Sequence, residues 1–145
     1  MKINMRQANH SDIEFLQKLR CATMNEYLEK MGLPIDKDSH LKRINYHFEA
    51  ANILNIYGKP IGLFKYYEEK NKWHVVQVQI MPQYQGKGIG QSILSCLQKQ
   101  AKKDSKIISL SVLKSNPAKK LYEKLGFSII AQSDNEFMME YNVSK

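Results

Sequence analysis

The chain has 145 residues, of which 43% are hydrophobic and 25% charged, a composition typical of one soluble globular domain. No apolar run approaches the roughly 20 residues that cross a bilayer, and the N-terminus lacks the apolar core of a signal peptide. The formal net charge of +8 would suit nucleic acid, but the lysines are spread along the chain and are not interleaved with aromatic residues. We therefore expect a single cytoplasmic domain over residues 1–145, with no membrane and no nucleic-acid partner.

Two helices are predicted before the first long strand. Ser11 and Glu14 match a capping box, which would start a helix that runs to about residue 31. Asp38 or Ser39 can start a second helix, whose apolar residues continue to Ala51.

The hydrophobic pattern predicts these further elements in chain order: strands at 3–6, 53–56, 61–67 and 73–81, a helix at 88–103, a strand at 107–113, a helix at 116–126, and strands at 127–131 and 137–143. In the strand at 73–81, Val76, Val78 and Ile80 are expected to share one face. The strand–helix–strand crossover that follows requires its two strands to run parallel. The expected fold is one α/β domain, with a mixed sheet of about six or seven strands and about four helices.

The two cysteines are not expected to form a site. Cys21 and Cys96 lie in different helical segments, without the spacing of a metal site or a redox pair. We expect both to be small core residues, and we expect no metal.

Three glycines lie close together in the segment Gln-Gly-Lys-Gly-Ile-Gly at 85–90, between a predicted strand and a predicted helix. Glycines leave backbone N–H groups uncovered where the helix N-terminus adds partial positive charge, and this suits a phosphate. The chain lacks the spacing of a P-loop, and the dinucleotide fingerprint needs glycine where Gln91 stands. The two interpretations left are an anion site and a tight strand-to-helix connection.

A second motif supports the anion site. Residues 116–127 read Asn-Pro-Ala-Lys-Lys-Leu-Tyr-Glu-Lys-Leu-Gly-Phe. This segment resembles the second signature of the GNAT superfamily of acyl-CoA-dependent N-acyltransferases, and 85–90 resembles the first, Gln/Arg-x-x-Gly-x-Gly/Ala. Both stand in the family's order, and the predicted elements fit its fold over nearly the whole chain. The resemblance implies direct transfer of an acetyl group from acetyl-CoA to a primary amine in a ternary complex.

The resemblance also implies where acetyl-CoA binds. Family members hold the CoA diphosphate on the loop amides and the pantetheine arm between two splayed parallel strands. The implied cofactor-binding residues are Val78, Ile80, Gln85, Gly86, Lys87, Gly88, Ile89, Gly90, Gln91, Asn116 and Lys119. Asn116 lies one residue nearer the motif's tyrosine than in many relatives, and the two lysines could instead be ordinary exposed residues.

The resemblance implies three catalytic positions. The Ile80 N–H would polarise the thioester carbonyl, and Tyr122 would protonate the departing thiolate unless it is only a half-buried aromatic residue. The base that deprotonates the acceptor amine is a glutamate in some members. Its position corresponds to Ser111 in one branch and to His74 in the histone acetyltransferases. His74 is the candidate base here. The alternatives are that it is only a surface or strand-edge histidine, or that a water chain past Gln77, Gln79 and Ser111 removes the proton.

The acceptor is expected between the two N-terminal helices and the splayed strands. Candidate acceptor-binding residues are Glu26, Tyr27, Tyr46 and Gln77, because a carboxylate and aromatic rings suit a cationic amine. The sequence does not identify the acceptor amine, and it does not show whether acyl groups longer than acetyl are accepted. It also leaves the oligomeric state open, with a homodimer as one option. Two other classes of function also stay open: a CoA-binding sensor without catalysis and a basic nucleic-acid-binding domain.

Overall fold

The computed structural model describes residues 2–142. The strands are β1 (Asn4–Gln7), β2 (Ala51–Ile56), β3 (Lys59–Glu69), β4 (Lys72–Ile80), β5 (Ile107–Leu113), β6 (Ser128–Gln132) and β7 (Glu136–Tyr141). The helices are α1 (Ile13–Lys30), α2 (Lys37–Asn45), α3 (Ile89–Asp104) and α4 (Ala118–Lys124). The strands form one seven-stranded sheet in the order β1-β2-β3-β4-β5-β7-β6, in which β4 and β5 run parallel.

The predicted α/β fold is therefore confirmed. The last strand was expected to reach Val143, which lies outside the described residues. Within residues 2–142, no helix is both long and apolar enough to cross a bilayer.

The sheet separates two hydrophobic cores. The core on the side of α1 and α2 includes Leu16, Leu19, Ile44, Ile53 and Leu63. The core on the side of α3 includes Leu54, Phe64, Leu94, Leu97 and Ala101, and α4 packs against it. Each buried leucine or isoleucine contributes roughly 1.5–3 kcal/mol, so the two cores hold the helical layers on opposite faces of the sheet.

The residues that cap the two N-terminal helices lie upstream of the residues predicted to do so. The Asn9 side chain accepts a hydrogen bond from Ser11 N at 2.9 Å, and the Asp12 carboxylate accepts one from Asn9 N at 2.9 Å. This capping box opens a short 3₁₀ turn that leads into α1. In α2 the cap is Asp36, whose carboxylate accepts from Ser39 N at 3.1 Å.

The second helix ends earlier than predicted, at Asn45, because a buried lysine caps it. The Lys65 ammonium donates to the carbonyl oxygens of Ile44 at 3.0 Å and of Tyr46 at 2.7 Å, at the negative end of the helix. Burial lowers the pKa of Lys65 to about 8. Ala51 then opens β2 instead of closing the helix.

Both cysteines are exposed, so the expectation of small core residues is wrong. On α1, Arg20 takes the buried position next to Cys21. On α3, Cys96 lies between two buried leucines but on the outer side of the helix.

Two interruptions open the middle of the sheet. The parallel ladder of β4 and β5 ends at the pair Val75–Leu110, although both strands continue. The β3–β4 register shifts at the same place and leaves Val76 without a partner, as in a β-bulge. The bulge removes Val76 from the face expected for it, because Val75 and Val78 both pack against the α3 core. The parallel strands therefore splay apart beyond this point.

Candidate active site

Two cavities meet where β4 and β5 splay. The loop-side cavity, about 330 Å³, is lined by residues of β4, α4 and the glycine loop, among them Ile80, Gly86, Gly88, Gly90 and Gln91. The helix-side cavity, about 460 Å³, is lined by residues of α1, α2, β4, β5 and β7, among them Arg20, His40, Arg43, Gln77, Ser111 and Glu136. Val78 and Tyr122 line both cavities, so these two residues form the boundary between them.

The glycine loop presents backbone rather than side chains to the loop-side cavity. Gly86 and Gly88 have φ values of 76° and 78°, which residues with a side chain rarely adopt. A side chain at either position would project into open space, and no side chain of residues 2–142 caps the N-terminus of α3, which begins at Ile89. The free amides of the first turn of this 16-residue helix therefore make a fitting cradle for a phosphate.

The end of β4 turns free backbone groups toward the splay. Met81 N donates to Ile61 O of β3 at 2.8 Å. Because successive amides in a strand point to opposite edges, the N–H groups of Ile80 and Val78 point away from β3. The Gln85 side chain donates to Ile80 O at 2.8 Å and ties the glycine loop to this strand end.

Tyr122 extends from α4 to the boundary of the two cavities. Among residues 2–142, no group forms a hydrogen bond with its hydroxyl. Burial raises the pKa of Tyr122 to about 12. The phenol therefore stays protonated at neutral pH and can donate that proton to a basic group beside it.

The wall that α1 and α2 contribute to the helix-side cavity is cationic. Arg20 is only 6% exposed, and its Nε donates to Nδ1 of His40 at 2.9 Å. The opposite ring nitrogen of His40 then donates to Oδ1 of Asn25, 2.7 Å away. Burial and the nearby charge of Arg43 lower the pKa of Arg20 to about 10, and burial lowers the pKa of His40. This chain of hydrogen bonds holds a neutral imidazole and a charged guanidinium at the cavity wall.

The sheet contributes two further polar groups to the helix-side cavity. Glu136 opens β7 opposite Leu113 of β5, where the splay is open. Gln77 is 7% exposed, and its Oε1 has no hydrogen-bond partner among residues 2–142. A buried oxygen without a partner costs stability.

A family model for the acetyltransferase (GNAT) domain matches residues 25–139. The chain belongs to the GNAT acetyltransferase family. The match contains both motifs from which the family was predicted, so that prediction is confirmed. A search among curated proteins finds no significant sequence relative.

Solved structures with the same fold include three acetyltransferases or relatives from microorganisms. The PaiA N-acetyltransferase of Thermoplasma acidophilum, solved with coenzyme A, has a TM-score of 0.75 and 19% identity over 98% of this chain and 99% of its own. Ard1 of Thermoplasma volcanium has a TM-score of 0.72 and 16% identity over 99% of each chain. An acetyltransferase of Thermus thermophilus has a TM-score of 0.77 and 17% identity over 98% and 97%. At these identities the likeness shows the shared fold.

Most of the residues implied for CoA in this GNAT domain lie together, but three do not line the loop-side cavity. Lys87 lines a separate groove between α3 and strands β1 to β3. The Lys119 ammonium lies 4.8 Å from the centre of the Phe137 ring. Asn116 lines the helix-side cavity, and its Oδ1 accepts from Ala118 N at 2.9 Å, so it caps α4.

His74 lies outside both cavities that Tyr122 joins. It lines a third cavity of about 430 Å³ and forms a hydrogen bond with the Ser109 hydroxyl, within the closed part of the β4–β5 ladder. Tyr46 lines the same cavity, and its hydroxyl lies 3.3 Å from that of Tyr67. The third cavity shares Glu136 and Arg43 with the helix-side cavity.

Two of the four candidate acceptor residues face away from the helix-side cavity. The Glu26 side chain is 71% exposed and pairs with Lys30 at 3.5 Å. Tyr27 packs beneath the same lysine, and its carbonyl accepts from the Ser115 hydroxyl at 2.9 Å. Gln77 is the candidate that the structure places in the cavity wall.

The sequence interpretation missed Arg20, His40, Arg43 and Glu136. One signal was available for Arg20, because it lies four residues after Leu16 and next to Leu19 on the apolar stripe of α1. Glu136 had no such signal, because only the pairing of β7 with β5 brings it to the splay.

Proposed function

We propose that this enzyme transfers an acetyl group from acetyl-CoA to a primary amine by direct attack within a ternary complex. The observation that carries the proposal is the meeting of the two cavities at Val78 and Tyr122. A donor bound from the loop side and an acceptor bound from the helix side would reach each other there without a covalent enzyme intermediate. Acetyl-CoA would supply a reactive thioester carbonyl when bound.

The loop-side cavity would hold the donor. The amides of Gly86 to Gln91 would bind the diphosphate at the start of α3, and Val78 would bond the pantetheine arm through its backbone. The Ile80 N–H would donate to the thioester oxygen as negative charge develops there. One such preorganised donor is worth roughly 3 kcal/mol of transition-state stabilisation.

Tyr122 would act as the general acid. The residue lines both cavities, and its hydroxyl has no competing hydrogen bond within residues 2–142. Since its pKa is raised to about 12, the proton is available at any pH at which the protein would work. It would pass from Tyr122 Oη to the departing sulfur as the carbon–sulfur bond breaks.

Glu136 would be the general base, in place of His74. An acceptor ammonium must lose a proton before its nitrogen can attack, and Glu136 lines the same cavity as Tyr122. His74 does not line that cavity, and its Nδ1 is engaged by the Ser109 hydroxyl. Ser111 lies beside Glu136 in the cavity lining and could order a water between base and amine.

The test is release of the CoA thiol from acetyl-CoA with a panel of amino acids, polyamines, peptides and drug amines. We expect acetylation of at least one amine class, with mass spectrometry placing the acetyl group on nitrogen. CoA binding by calorimetry without turnover of any amine would instead identify a sensor and would contradict the proposed activity.

A further inference from the structure

We infer that the acceptor is a small anionic amine, whose carboxylate or phosphate group is bound by Arg20 and Arg43 while its amino group faces Glu136. This inference rests on the proposed function of the helix-side cavity and names its substrate class. It replaces the cationic acceptor expected from Glu26 and Tyr27.

The charges that line the helix-side cavity are unbalanced. Arg20, Lys42 and Arg43 line it, and Glu136 is the single carboxylate in its lining. Six ion pairs are present among residues 2–142, and none includes any of these three cations. The three cations of this wall therefore have no ion-pair partner among residues 2–142.

Of these three cations, Arg20 alone is buried. The Arg20 residue is 6% exposed, and a buried guanidinium is normally paired with a carboxylate, since a buried unpaired charge is costly. Here its Nε donates to His40, and its two Nη groups have no hydrogen-bond partner within the described residues. The neighbouring Arg43 raises the local positive potential further, and it lowers the pKa of Arg20.

The geometry of the guanidinium selects the ligand. With Nε held by His40, the Nη groups of Arg20 are kept in a fixed plane at the cavity wall. Such a fork matches the two oxygens of a carboxylate or phosphate. A protonated amine would instead be repelled by this wall.

The opposite side of the cavity suits an amino group. The Glu136 carboxylate is a hydrogen-bond acceptor that belongs to the sheet, and it lines this cavity together with Tyr122. A volume of about 460 Å³ accommodates a molecule of metabolite size. The two walls together fit a ligand with an anionic end and an amino end.

Matched acceptors test the inference with the full-length protein and acetyl-CoA. The carboxylate arm compares glycine with glycinamide, and γ-aminobutyrate with γ-aminobutyramide and putrescine. The phosphate arm compares O-phosphoethanolamine with ethanolamine. In each arm we expect kcat/KM for the anionic acceptor to exceed that for its uncharged or cationic partner roughly tenfold or more. The arm with the larger ratio of these two values shows whether the cavity prefers a carboxylate or a phosphate.

Variants assign the effect to the arginines. Arg43→Gln changes an exposed side chain and should lower kcat/KM for the anionic acceptor roughly tenfold, while the uncharged partner is unaffected. Arg20→Gln should lower kcat/KM for the anionic acceptor by roughly tenfold to a hundredfold. Lys18→Gln removes an equal charge from the exposed side of α1 and serves as the matched control. Circular dichroism verifies that each variant is folded.

The outcomes separate the inference from the proposed function. Equal or better kcat/KM for putrescine and the amides would overturn the anionic acceptor while leaving acetyl transfer intact. If no amine is acetylated, the proposed transfer fails, and the inference is then decided by calorimetry on the protein with CoA bound. Arg43-dependent binding of the anionic amines would still support it, and absence of such binding would overturn it.

Discussion

The loop-side and helix-side cavities share Val78 and Tyr122, but they are built in opposite ways. The loop-side cavity takes most of its lining from one short segment, 84–91, where Gly86 and Gly88 leave amides free at the start of α3. The helix-side cavity is lined by residues that come from six separate helices and strands. Backbone amides offer the same chemistry to any phosphate, whereas a set of side chains can be changed one residue at a time. If the proposed function is correct, the proposed donor cavity depends mainly on backbone and the proposed acceptor cavity on individual side chains.

The largest effect should come from placing a negative charge in the loop-side cavity. Gly88→Asp puts a carboxylate where we propose that phosphate binds, and we expect CoA affinity measured by calorimetry to fall beyond detection. Gly88→Asn is the control, because asparagine has the same shape, tolerates a positive φ and carries no charge. Equal CoA affinity in the aspartate variant and the parent would remove the loop from the donor site.

The next effect concerns the boundary residue. Tyr122→Phe should lower kcat by one to several orders of magnitude and leave CoA affinity unchanged, because only the proton donor is lost. In the parent, Tyr122 should cause no loss of activity between pH 7 and 10, since its pKa is raised to about 12 and it stays protonated there. Tyr141→Phe, which removes a hydroxyl from β7, is the matched control. Unchanged turnover in Tyr122→Phe would exclude the hydroxyl from the reaction.

A smaller effect would distinguish the two candidate bases on the acceptor side. Glu136→Gln should lower kcat/KM at neutral pH roughly a hundredfold, with partial recovery as the pH approaches the pKa of the amine. His74→Asn should change the same quantity much less, because His74 lines the neighbouring cavity. Glu123→Gln controls for the loss of a carboxylate elsewhere. A larger loss of kcat/KM in His74→Asn than in Glu136→Gln would show that His74 is the base.

The smallest effect is on stability and concerns the cationic wall. The pKa of His40 is lowered in the folded protein, so below the ordinary value of 6.5 the unfolded chain binds the proton first. Stability should therefore be unaffected above pH 6.5 and should fall as the pH drops below it. His40→Gln should remove this part of the acid sensitivity, a difference of a few degrees in Tm measured by calorimetry at pH 7 and pH 5. Identical pH dependence in the two proteins would contradict the neutral His40.

Features set by local patterns were predictable from the sequence. The alternation of apolar residues indicated the strands, and the glycine loop with the tyrosine motif indicated the family. The misses have physical reasons. Asn9 and Asp36 took the capping roles because they bond the free amides of each helix start, and Lys65 ended α2 from a strand that is distant in sequence. Val76 left its expected face because a bulge breaks the alternation of β4.

By itself, the sequence determined the α/β fold class, the GNAT family and the positions of Gly88 and Tyr122, because each of these depends on residues that are close together in the chain. The tertiary structure decided which side chains reach the splay. Arg20 and His40 face the cavity because α1 and α2 pack together, and Glu136 does so because β7 pairs with β5. Such contacts depend on how distant elements pack, which local periodicity does not encode.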